Sequence, residues 1–170
     1  RISAINRHFA RGLDLHSRPH AFSALQPLAD TWVLTGNFPG APSAIADDEW
    51  LPFADESFDL VTSILSLHAV NDLPDTLFQI RRVLKPDGLF MAAMFGGETL
   101  TELRLAFPAA DETKLEGVRP RVSPFADVRD VGGLLQRAGF ALPLARVGRT
   151  GIRYRAVSRL FAHLGAIGGT

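Results

Sequence analysis

The sequence predicts an α/β fold: a Rossmann-like, mostly parallel sheet with helices on both faces. Three observations carry this. Residues 89–95 are an unbroken apolar run, residues 58–67 are nearly as apolar, and a capped amphipathic segment lies between them. Strands that are apolar on both faces belong in a parallel sheet covered by helices. Strand, helix, tight turn and strand make a βαβ unit, with a right-handed crossover.

Within that unit Asp72 is placed to cap the helix and Pro74 suits its first turn. Leu77, Ile80, Val83 and Leu84 form one apolar face. Lys85-Pro86-Asp87-Gly88 stops the helix and turns the chain into the next strand. Upstream, residues 12–15 and 31–35 read as strands. A short helix over 18–26 lies between them, capped by Ser17 and ended by Pro27. Downstream, residues 128–138 read as a helix with Asp127 at the N-cap and Gly139 just past its end. Residues 140–147 read as a strand that Pro143 confines to a sheet edge. Residues 151–157 alternate with period two, and a last helix runs over 157–164. Residues 108–124, rich in charge and proline, are expected to form a loop or flap. The whole, residues 1–170, is expected to be a single domain.

Composition narrows the function classes. The chain is 46% hydrophobic and 21% charged, which suits a globular core rather than a disordered chain. Lys+Arg and Asp+Glu are both 18, so there is no basic excess of the kind a phosphate-reading nucleic-acid binder shows. Cysteine is absent, which excludes disulfides, thiolate catalysis and zinc–thiolate sites and agrees with a cytoplasmic location. No apolar run reaches the roughly 20 residues of a membrane helix.

In an open α/β sheet, ligands bind beyond the carboxyl ends of the strands, near the point where strand order reverses. The segments in that position are 16–20, 36–40, 47–49, 66–72 and 96–100. The acidic turn Asp47-Asp48-Glu49 is followed by Trp50, which makes it the most suggestive. Carboxylates accept hydrogen bonds from an amine or from ribose hydroxyls, and an aromatic neighbour can cover a flat ring. A solvated turn is the bland alternative. His68 and Tyr154 are the catalytic candidates, on location and chemistry alone. His16 and His20 are four apart but Pro19 interrupts them, so no metal site is expected.

Several segments together resemble the class I S-adenosylmethionine-dependent methyltransferases. These are Leu51-Pro52-Phe53-Ala54-Asp55-Glu56-Ser57-Phe58-Asp59, Leu67-His68-Ala69-Val70-Asn71-Asp72-Leu73 and Leu84-Lys85-Pro86-Asp87-Gly88. A fourth, Phe95-Gly96-Gly97-Glu98-Thr99-Leu100, is similar to a branch holding the biotin-synthesis methyltransferase and the complex I assembly-factor proteins. The resemblance implies S-adenosylmethionine as cofactor, with Asp47 on the adenine amine and Asp48 beside the ring. It also implies Leu65 and Ser66 near the methionine end, and a methyl acceptor of unknown kind, a protein partner included.

Two departures stand out. The family's first motif is an acid followed by a glycine-rich loop. Here Asp14 keeps the acid, but His16-Ser17-Arg18-Pro19-His20 follows without a glycine. The second strand usually ends in an acid that grips the ribose, and here Gly36 and Asn37 stand instead. Each loss is worth about 1–3 kcal/mol of ligand binding. The second βα unit is also short, and no seventh strand is evident. Methyl transfer is the leading expectation. The alternative is a degenerate relative acting as an assembly factor or protein-arginine hydroxylase, although no iron-ligand spacing is visible. A scaffold that binds no nucleotide is the third.

Overall fold

The computed structural model describes residues 6–36, 44–114, 122 and 125–166. Its strands are β1 (Phe9–Leu15), β2 (Ala29–Thr35), β3 (Phe58–Ile64) and β4 (Leu84–Ala93). Its helices are α1 (Pro19–Leu25), α2 (Leu73–Val83), α3 (Thr101–Lys114), α4 (Val128–Arg137) and α5 (Val157–Ala166). The four strands form one sheet in the order β2-β1-β3-β4, and every pairing is parallel. From β1 the chain crosses to β2 on one side and then returns to β3 on the other. The strand order therefore reverses between β1 and β3.

Register explains the two-faced core. Trp32, Gly12, Leu60 and Leu89 are lateral neighbours, and so are Val33, Leu13, Val61 and Phe90 one residue further on. Successive side chains point to opposite faces, so these rows cover opposite sides of the sheet. Leu77, Ile80 and Val83 of α2 and Leu134, Leu135 and Ala138 at α4 pack with the second row. On the first, Phe22 of α1 meets Trp32 edge to face at 5.2 Å. Gly12 is required there, because a Cβ would stand 2.6 Å from the Trp32 ring. In β3, Leu60, Val61, Thr62 and Ser63 are all fully buried, as befits a central strand.

Local chemistry sets the element ends. Asp72 caps α2 by accepting from the Asp75 amide at 2.9 Å, and Asp127 caps α4 by accepting from Arg129. Gly139 takes φ +89° just past α4. Lys85–Gly88 is the expected turn, held inside β4 as a bulge. Leu84 pairs with Phe58, and the ladder resumes only at Leu89 opposite Leu60.

Four expectations need correction. Ser17 does not cap α1. Arg18 holds the N-cap position, and Ser17 is tied to β3 instead. Residues 140–147 and 151–157 up to α5 form no strand, because among the described residues no neighbour pairs with them; Leu142 and Leu144 are exposed. Of the residues 108–124 expected to form a loop or flap, 108–114 are helical instead, since α3 continues through Pro108 to Lys114, and 115–121, 123 and 124 lie outside the described residues. The helix expected over 157–164 runs on to Ala166.

The load at the strand reversal rests on Thr62, whose hydroxyl donates to Asp14 at 2.6 Å inside the sheet. Thr62→Val removes that donor and leaves a buried carboxylate oxygen unmet. The substitution is expected to cost about 1–3 kcal/mol in urea unfolding, and an unchanged midpoint would show that the bond contributes nothing.

Candidate functional site

The strand ends at the reversal point are joined by an interlocking set of hydrogen bonds. Asp14, 2% exposed, accepts from Thr62 Oγ1 and from the Ser17 amide at 3.2 Å. Burial pushes its carboxyl pKa up, and these donors pull against that. Two serines then cross between strands in opposite directions. The Ile64 amide donates to Ser17 Oγ at 2.9 Å, and Ser66 Oγ donates to the Leu15 carbonyl at 3.0 Å. Ser63 Oγ lies 2.5 Å from Ser66 Oγ and completes the group.

Above this latch the backbone turns sharply. His16 has φ +55° and Leu65 has φ +59°, both in the left-handed region that favours glycine. His16 thus keeps a glycine-like turn directly after Asp14 without being glycine. Its ring is aimed at the acidic turn, where Nδ1 lies 2.9 Å from Asp48 Oδ1. Asp48 is buried and Asp47 is exposed. The hydrogen bond that His16 donates to the Asp48 carboxylate is the main reason that the His16 pKa is raised, and burial opposes it.

The acidic turn is held from two sides. Glu49 Oε1 accepts from the Asn71 and Asp72 amides at 2.9 and 3.0 Å, which ties the turn to the start of α2. Arg82 donates to the Leu51 and Phe53 carbonyls and to Asp55, which pins the following loop to the same helix. Asp47 Oδ1 accepts from the Glu49 amide, and Trp50 beside it is 74% exposed.

The structure brings Asp14, His16, Asp48, Leu65 and Ser66 together at the ends of β1 and β3, with Asp47 on the rim. Gly36 follows β2 with φ +128°, and Asn37 lies outside the described residues. His68 sits further along, in a short turn after β3, against Phe95 and Phe125. Tyr154 is hydrogen-bonded to His163 on α5, beside Arg153 and Arg159. Sequence reasoning did not find Ser17, Thr62 or Ser63. Their partners lie 47, 48 and 3 residues away, and the two long-range ones have no local signal.

Fold and sequence together define the class I methyltransferase family. Residues 29–92 match the methyltransferase domain family, and the chain belongs to that class. It is 47% identical over 126 residues to the mitochondrial arginine-hydroxylase NDUFAF5 of Homo sapiens. It is 42% identical over 123 residues to the malonyl-[acyl-carrier protein] O-methyltransferase of Gallionella capsiferriformans. These alignments cover 74% and 72% of this chain but only 36% and 40% of the relatives, so the chain spans about two fifths of their length. The YcgJ protein of Bacillus subtilis shares the fold, with a TM-score of 0.62 over 82% of this chain and 66% of that one, at 18% identity.

The His16–Asp48 pair has a definite pH signature. The folded His16 pKa lies above the ordinary 6.5, so the pair's contribution is full below that value and is lost as pH rises through the folded one. In Asp48→Asn, the His16 midpoint in an NMR titration is expected to fall. The stability gap between wild type and variant is expected to be widest below pH 6.5 and to narrow as pH rises through the raised folded midpoint. A midpoint that stays put in the variant would show that Asp48 is not the cause.

Proposed function

We propose that this chain carries the cofactor site of an S-adenosylmethionine-dependent methyltransferase. The observation that carries the reading is His16. It preserves a glycine-like, left-handed turn between the buried Asp14 and the acidic turn, at the reversal point of the sheet. The residues there fit the nucleoside end of the cofactor. Asp47 offers an exposed carboxylate to an exocyclic amine, and Trp50 stands next to it as a flat apolar surface. Asp48 and His16 border the same rim, and Gly36 follows β2 on the ribose side. Leu65 and Ser66 border the sulfur end. Asp14 acts from below: its oxygens are engaged by Thr62 and Ser17, and so it shapes the loop.

When bound, the cofactor supplies an activated methyl on a sulfonium. Transfer is an in-line displacement, for which the protein mainly orients the partners and excludes water. Such a transfer needs no special nucleophile from the protein. The methyltransferase relatives support this reading, the Gallionella protein among them. A second reading is favoured by a specific finding: the arginine-hydroxylase relatives of human, mouse and rat are 47–48% identical to this chain. On that reading the same nucleoside cleft serves protein-arginine hydroxylation.

The test is calorimetric titration with S-adenosylhomocysteine, with Trp fluorescence as a second readout. Saturable binding with a micromolar Kd is expected, weakened at least about tenfold in Asp47→Ala. No heat and no fluorescence change at millimolar ligand would overturn the cofactor reading. Subsequent turnover with S-adenosylmethionine separates methyl transfer from the second reading.

A further inference from the structure

Beyond the carboxyl ends of β3 and β4, four side chains from separate elements meet. His68 comes from the turn after β3 and Phe95 from the loop after β4. Arg104 comes from α3, and Phe125 from the segment before α4. The ring centroids of His68 and Phe95 are 4.5 Å apart, those of His68 and Phe125 5.9 Å, and those of Phe95 and Phe125 5.7 Å. Arg104 Cζ stands 5.8 Å from the Phe125 centroid. These are chemistry-bearing side chains on an aromatic floor, on the face of the sheet where ligands of this fold bind.

What marks the cluster is its unmet polar atoms. Both ring nitrogens of His68 are buried without a hydrogen-bond partner among the described residues, and so is Arg104 Nε. Arg104 Nη2 donates to the Thr99 carbonyl, which holds the guanidinium in place while Nε stays buried. An unmet buried donor costs about 1–3 kcal/mol, and buried polar atoms in folded proteins nearly all find partners. Three such atoms, on two side chains that both lie against Phe125, point to a ligand that supplies what the chain does not. Burial holds the His68 pKa below its ordinary value, so the free ring is neutral, with one N–H donor and one acceptor. Arg104 is a permanent cation whose Nε can only donate. Two donors, one of them charged, match the two oxygens of a planar carboxylate. The rings of Phe95 and Phe125 suit the apolar body attached to it.

We propose that His68 and Arg104 form a substrate subsite for a carboxylate carried on an apolar or aromatic body. Arg104 supplies the charge and His68 an N–H. Phe125 covers the pair and must shift for entry. The proposal relies on the methyltransferase-type reading only for placing the subsite on the ligand face, and it needs no bound cofactor.

Benzoate is the probe, titrated into the full chain while the histidine ring resonances are followed by NMR. His68→Gln identifies the His68 signal among the five histidines of the chain. Benzoate is expected to shift the His68 resonances saturably and to move the ring's titration midpoint upward, as a nearby anion must. Benzamide, which lacks the charge, is expected to bind at least about tenfold more weakly. Arg104→Gln is expected to abolish the benzoate shift while leaving the thermal midpoint and S-adenosylhomocysteine binding close to wild type; Arg104→Lys tests charge without the planar fork if the first variant does not fold. No His68 shift at 50 mM benzoate, equal binding of benzamide, or a benzoate shift that survives in both Arg104 variants would overturn the proposal. Failure of the cofactor reading shows separately, as absent S-adenosylhomocysteine binding.

Discussion

The structure turns on one buried carboxylate. Asp14 sits where strand order reverses, with Thr62 beside it on β3 and the Ser17 amide above it. A carboxylate taken out of water is costly unless it is hydrogen-bonded. Here the requirement is met by β3 and by the loop after β1, so satisfying Asp14 fixes both. The reciprocal serine bonds from Ser17 and Ser66 then hold the two strand ends at one spacing. Everything above, the left-handed His16 and the acidic turn that it reaches, inherits its position from this arrangement.

Much of the framework was legible because it is written locally. The apolar runs of β3 and β4 have no polar face, and Asp72 and Asp127 precede helices whose apolar stripes are regular. The acidic turn was legible as chemistry, since Asp47 and Asp48 stand together before a tryptophan. The bond that joins His16 to Asp48 was not, because 32 residues separate them and its geometry depends on a positive φ that no local pattern requires. Residues 140–147 failed for the opposite reason. Their apolar residues suit an edge strand, but a strand needs a partner, and none of the described segments offers one. Pro108 misled in the same way: it suggested a break, yet a proline costs one hydrogen bond and a local clash, which a fourteen-residue helix can absorb.

The loop after β1 shows how a site can keep its shape while changing its chemistry. A histidine in the left-handed region costs more than glycine would, but histidine is among the residues that tolerate it. In exchange the loop gains a side chain that a glycine cannot provide, and that side chain holds Asp48 in place. The amide of Ser17 is meanwhile committed to Asp14, and Pro19 has none to give. On the proposed reading, recognition at this site falls on side chains more than on a cradle of backbone amides.

Glu49 and Arg82 have a mechanical consequence. Both bind the rim of the cleft to α2, one at the helix start and the other in its last turn. The rim has little regular structure of its own, so its order is borrowed from the helix. Rim and helix should then open and close as one cooperative unit. Slow hydrogen exchange in α2 would extend to the acidic turn, and a disturbance on the outer face of that helix would be felt at the cleft without any contact to a ligand.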